Sequence, residues 1–164
     1  MPETNGERIR RILLRDFRRR GGGGGSTRPF DESDSDIREI LLNAVQMRRD
    51  EFPVIACVLG RTNWVLLTTQ RVMIDQRNRH LGFDLTEIED CDFDTRRMRG
   101  PEDKHRLDRM EIHTRDGQVV EVELGCGAEF YRFWSTIRMA VHMAPEEGRR
   151  RAAESELSGD GADA

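Results

Sequence analysis

Arginine is the residue type whose spacing in this chain most invites a chemical reading. Arg8, Arg10, Arg11, Arg15, Arg18, Arg19 and Arg20 crowd one short segment, and with Arg28 they face only Glu3, Glu7 and Asp16. Residues 1–30 therefore carry +5, and the rest of the chain −9, within a total of −4. A basic arm ahead of an acidic body fits contact with an anionic partner. Ile9, Ile12, Leu13 and Phe17 fall at i, i+3, i+4 and i+8, so they share one face of a helix over 7–20. Such a helix could lie on an anionic membrane with that face in the acyl boundary, each arginine contributing about 1 kcal/mol near the surface. It could equally meet nucleic-acid phosphates or a protein partner, stay solvated, or dock on the chain's own acidic body.

A second basic set, Arg96, Arg97, Arg99, Lys104 and Arg106, lies around Gly100-Pro101, a turn signal, and reads as a loop able to touch a headgroup or an anionic peptide. It lacks the interleaved aromatics of a single-strand nucleic-acid platform.

The other candidate chemistries are weak by comparison. Glu87, Glu89, Asp90, Asp92 and Asp94 resemble a calcium loop only in charge. Thr95 follows where an EF-hand has glycine, and no glutamate stands at the twelfth position. His80, His105, His113 and His142 form no paired metal-ligand spacing. The 3 cysteines, Cys57, Cys91 and Cys126, contain no Cys-x-x-Cys and read as reduced thiols. Cys57 sits in an apolar run that would leave it inert, and Cys126, ahead of the last helix, has the one activating context. No Gly-x-Ser-x-Gly is present, and Gly21–Gly25 lack the Lys-Ser/Thr of a phosphate loop. The expectation is a chain without catalytic, cofactor-binding or metal residues, not an enzyme.

The elements that would carry these residues follow from periodicity. Gly21–Gly25 read as a flexible tether, because five glycines lose too much backbone entropy inside an element. Asp36 and Glu39 stand in capping-box spacing ahead of Ile37, Ile40, Leu41, Ala44 and Met47, predicting a helix over 36–48. Strands are expected over 51–59, 64–69, 72–75, 81–85, 88–95, 107–114 and 118–124. The hairpins turn at Thr69-Gln70-Arg71 and at Arg115-Asp116-Gly117. Phe130, Phe133, Trp134, Ile137 and Val141 repeat at helical spacing over 127–143. After Pro145 the composition reads as a disordered tail.

At 164 residues, with 35% charged and a mean hydropathy of −0.72, the chain suits one small domain with disordered ends. The domain organisation expected is a disordered basic arm and linker over 1–35, a folded body over 36–144 and a tail over 145–164. No apolar run approaches the roughly 18 residues of a membrane span, and the opening residues are not a secretory signal. A cytoplasmic protein, at most peripheral to a membrane, is expected. One lysine against 26 arginines reads as a GC-rich, bacterial coding sequence.

The run Trp64-Val65-Leu66-Leu67-Thr68-Thr69-Gln70-Arg71-Val72-Met73-Ile74 resembles bacterial pleckstrin-homology-like domains. There a strand ending in Leu-Thr turns through two polar residues into an arginine and a new apolar strand. Asp84-Leu85-Thr86-Glu87-Ile88 and Ile112-His113-Thr114-Arg115-Asp116-Gly117 look like later segments of the same family. The resemblance covers about 52–143. It implies an α+β fold: a barrel of about seven mostly antiparallel strands closed by a C-terminal amphipathic helix, here with a short preceding helix. It also implies a noncatalytic binding or adaptor module for lipid headgroups, peptides or protein domains. The first hairpin loop, Gly60-Arg61-Thr62-Asn63, departs from phosphoinositide-binding members in holding only Arg61. The functional expectation is thus a binding module whose arm meets an anionic membrane or a protein. A small nucleic-acid-associated regulator using the same arginines is the alternative.

Overall fold

A computed structural model of the chain describes the backbone of residues 1–97 and 100–159, and side chains there except those of 97, 104 and 145–159. The architecture is α+β. Helix α1 (Asn5–Arg19) leads through a short strand β1 (Thr27–Pro29) to helix α2 (Ser35–Ala44). Four strands follow as a meander: β2 (Pro53–Gly60), β3 (Asn63–Thr68), β4 (Arg71–Gln76) and β5 (Arg79–Asp84). Then come β6 (Ile88–Asp92), β7 (Arg109–Thr114), β8 (Val119–Glu123) and the long helix α3 (Ala128–Gly159). All strand pairs are antiparallel, in a five-stranded sheet β1-β2-β3-β4-β5 and a three-stranded sheet β6-β7-β8.

No continuous ladder joins the two sheets, so the closed barrel expected from the sequence is not formed. Side chains make the junction. The Gln76 amide donates to the Glu123 carbonyl at 2.7 Å, and the Glu123 N–H donates back to Gln76 Oε1 at 2.9 Å. The Gly125 N–H reaches Cys57 Sγ at 3.3 Å.

The main core lies between the sheets and under α3. Val54, Ile55, Val65 and Leu67 meet Ile88, Met110, Ile112 and Val122, with Phe130, Phe133 and Ile137 above them. Period-2 alternation in β7, where Met110, Ile112 and Thr114 are buried and their neighbours are not, marks its one buried face. A smaller cluster forms on the opposite face of the larger sheet, where Phe30, Leu41 and Val45 cover Ala56, Trp64 and Leu66.

Three expectations are corrected here. The core is not confined to 36–144, because Ile9, Leu13, Leu14 and Phe17 of α1 belong to it. The five glycines are not a free tether. Gly21, Gly22 and Gly25 have φ of 114°, 67° and 58°, and the run folds back so that Gly24 and Thr27 exchange backbone hydrogen bonds. Those left-handed angles are the reason for glycine there. The helix expected to stop before Pro145 continues to Gly159; proline removes one hydrogen bond, while the Glu, Arg and Ala that follow are strong helix formers.

Two boundaries also move. Helix α2 begins at Ser35 after Asp34 and ends at Ala44, where Val45 turns extended and buries itself. The Asp36–Glu39 spacing does not form its cap. The operating capping boxes are Thr4 with Glu7 at α1 and Asp84 with Glu87 after β5.

Candidate functional site

Helix α1 sorts its side chains by face. Ile9, Leu13, Leu14 and Phe17 are buried, and Ile12 is half-buried. The apolar face expected to meet a membrane through Ile9, Ile12, Leu13 and Phe17 is therefore largely inside the molecule. Sequence periodicity located the face; it could not say what the face packs on.

Docking of α1 is fixed from several elements. The Asp50 carboxylate accepts the Gly6 N–H at 2.8 Å, placing negative charge at the helix N-terminus, where it is favoured. Arg10 donates from Nε to the Pro53 carbonyl at 3.3 Å and pairs with Asp31. At the other end Arg132 of α3 donates to the carbonyls of Arg20 (3.1 Å) and Gly22 (2.9 Å). The Ser26 N–H donates to Glu129 Oε2 at 3.1 Å. Of the readings open at the sequence level, the structure matches an arm docked on its own body.

Arg11, Arg15, Arg18 and Arg19 are consequently exposed on a fixed helix, whereas Arg8 and Arg10 are half-buried. Several have intramolecular partners: Arg11 with Glu3 at 2.7 Å, Arg18 with Glu32 at 3.3 Å, and Arg19 and Arg20 both with Asp16, at 3.0 and 2.9 Å. Glu3 is held below, and Arg11 above, its ordinary pKa, chiefly by their shared hydrogen bond. Arg15 is exposed. Arg8, Arg11, Arg15 and Arg18 recur at helical spacing as one ridge. A shallow depression of about 730 Å³ along it is lined by Arg10, Arg11, Arg15 and Arg18 with Glu3 and Glu7.

Of the second basic set, only Arg96 and Arg106 have described side chains, and both are paired with acids. Arg96 is paired with Asp94 at 3.1 Å and Arg106 with Asp103 at 4.0 Å. The side chains of Arg97 and Lys104, and Arg99 entirely, lie outside the described residues. The neighbouring cleft of about 310 Å³ is acidic in balance: Asp94, Asp103, Asp108, Glu111 and Glu121 against Arg106 and Arg109.

The remaining chemistry-bearing groups are dispersed. Burial pushes the Cys91 thiol up to about 12, helped by Asp90, and raises that of Cys57, whereas Cys126 is exposed. His80 meets Asp75 at 3.4 Å and His113 meets Glu111 at 3.3 Å. Asp90 and Asp92 accept hydrogen bonds from the next residue's N–H, each at 2.8 Å. Among the described residues no group of three or more His, Cys, Asp or Glu side chains is placed to hold a metal ion, and no helix is long and apolar enough to cross a membrane.

No protein-family model matches the chain, and no curated protein or solved structure matches it.

Proposed function

We propose that this protein is a noncatalytic binding or adaptor module of pleckstrin-homology-like arrangement, cytoplasmic, whose α1 arginine ridge meets an anionic membrane surface peripherally. The observation that carries the reading is the two-faced helix: Ile9, Leu13 and Phe17 locked in the core, and Arg11, Arg15 and Arg18 exposed on the outer face of an otherwise acidic chain. The resemblance in 64–74 and the order of two antiparallel sheets followed by α3 support the family assignment. Because the apolar face is internal, contact is electrostatic and does not require insertion. At about 1 kcal/mol per arginine near an anionic surface, three of them give weak, salt-sensitive binding.

The same burial favours nucleic acid as a second reading, since it removes the feature that separates a membrane-inserting helix from a phosphate-binding one. Co-sedimentation of the full chain with phosphatidylserine-containing and neutral vesicles tests the first. Binding is expected only to the anionic vesicles, and is expected to be lost in Arg11→Glu/Arg15→Glu/Arg18→Glu. Vesicle binding unaffected by those changes would sink the proposal. Duplex DNA binding whose log–log salt slope falls by about one for each phosphate contact removed would transfer the ridge to nucleic acid.

A further inference from the structure

The two sheets expose four edge strands, and three are obstructed. In β1 the Thr27 N–H and C=O are taken by Gly24, and Pro29 has no N–H. In β6 the Cys91 carbonyl accepts the Trp134 indole N–H at 2.9 Å, and the N–H groups of Cys91 and Phe93 turn to Asp90 and Asp92. In β8 Gln76 clasps both backbone groups of Glu123. A second copy laid antiparallel about Glu121 would set that carboxylate against itself.

Strand β5 differs. Leu85 N–H donates to the Gln70 carbonyl, which fixes the alternation: Phe83, Leu81 and Arg79 bond inward to β4, and His80, Gly82 and Asp84 face the open edge. The Asp84 N–H is capped by Glu87 at 3.3 Å. His80 and Gly82 are exposed, and β5 has no proline and no bulge against β4. An edge of this kind is a template for another strand.

We propose that β5 is a dimerisation edge, pairing antiparallel with β5 of a second copy about a two-fold axis at Gly82. The occupant follows from charge. The strand begins basic, with Arg79 following an Arg77 that reaches Glu121 at 3.7 Å, and ends acidic, with Asp84 and Glu87. Antiparallel self-pairing therefore brings opposite signs together at both ends. In this register Gly82 meets its own copy, Leu81 stands opposite Phe83, and His80 stands opposite Asp84, which Arg48 of its own chain also holds at 2.6 Å. Gly82 at the axis presents no side chain to crowd the approach. An open cleft of about 490 Å³ alongside Gly82 and Phe83 is lined also by Glu87, Arg115 and Asp116. In this register the copy's Arg79 approaches that cleft, which offers two carboxylates. The isologous geometry closes at two copies and uses no part of the α1 ridge.

Sedimentation velocity of the full chain, in a dilution series from millimolar to micromolar, tests this. A monomer–dimer equilibrium is expected. His80→Glu, at an exposed position, sets a second acid against Asp84 at both ends and should weaken dimerisation about tenfold. Gly82→Pro deletes an outward donor and should abolish it, with thermal melts of both variants as folding controls. Slowed exchange of the Gly82 amide in the dimer is the matching signature. A chain monomeric at every concentration, or a dimer indifferent to both substitutions, would overturn the assignment. So would β5 amides that respond only to an added extended peptide of another sequence.

Discussion

Glu51 has no exposed side-chain surface, yet it is an ionised group held at the foot of β2. Arg71 grips both oxygens, each at 2.9 Å, the Thr68 hydroxyl donates at 2.6 Å, and the Arg48 N–H donates at 2.7 Å. Burial alone would raise this carboxyl, but the hydrogen bonds from Arg71, Thr68 and Arg48 together outweigh it and hold the pKa below the ordinary glutamate value. A pair taken out of water is neutral on balance when complete and costly when broken. Glu51→Gln should therefore destabilise the fold by about 3–5 kcal/mol in urea unfolding, since Arg71 is left without its counter-charge. The folded pKa is depressed, so this stability is present above the unfolded value and lost as pH falls below about 4.5 through the folded value. The wild-type midpoint should drop in that acid window, and the Gln variant should lack that part of the drop. Equal acid sensitivity in the two proteins would remove Glu51 as its source. The Leu-Thr-Thr-Gln-Arg run that carried the family resemblance is thus also an energetic node. Its hairpin was legible because the turn residues are local; its acid partner, seventeen or more positions earlier in the chain, was not.

At the scale of elements, α1 separates what periodicity tells from what it leaves open. The spacing of Ile9, Leu13 and Phe17 offered a helix over 7–20 within an arm expected to be disordered, and the structure forms it over Asn5–Arg19 with a Thr4–Glu7 capping box. Its docking depends on Asp50, Arg132 and Glu129, which approach from distances of 44 residues and more along the chain. Nothing local in Gly21–Gly25 announces those contacts, so entropy alone argued for a tether. The β7–β8 hairpin shows the opposite case: Asp116-Gly117 announces its turn, and Gly117 takes φ of 90°. Gly6 distinguishes a docked α1 from a loose one. In a solvated helix Gly→Ala stabilises by up to about 1 kcal/mol. Here a Cβ at Gly6 would collide with the Asp50 carbonyl, and backbone cannot yield as a side-chain tip does. Gly6→Ala is therefore expected to lower the melting temperature, and Gly6→Val to lower it further, with faster amide exchange along α1. A rise in melting temperature on Gly6→Ala would return α1 to the status of a detachable arm.

For the whole molecule, the question is what makes two short sheets one cooperative unit. A small sheet is stable only when its hydrophobic face is covered. The three-stranded sheet here is joined to its larger neighbour by packing under α3 and by the Gln76 clasp, in place of a backbone ladder. Phe93 stands edge-on to Phe130, Tyr131 and Trp134 at 5.0–5.9 Å, tying β6 to α3. The clasp is a glutamine imitating a strand residue, one donor and one acceptor in each direction, at a side chain only 5% exposed. Gln76→Ala leaves the Glu123 N–H and C=O without partners, at about 1–3 kcal/mol for each buried group that water does not reach. If packing under α3 unites the sheets, the variant should unfold in one transition at lower denaturant, with an unchanged slope. Amide exchange should quicken first at β8, next to the lost clasp. If the clasp itself unites them, unfolding of Gln76→Ala should split, the three-stranded sheet melting before the five-stranded one. The single transition is the expected result. Ile88, Met110, Ile112 and Val122 share one continuous core with Val54, Ile55, Val65 and Leu67, so neither sheet can open without exposing the other's buried face.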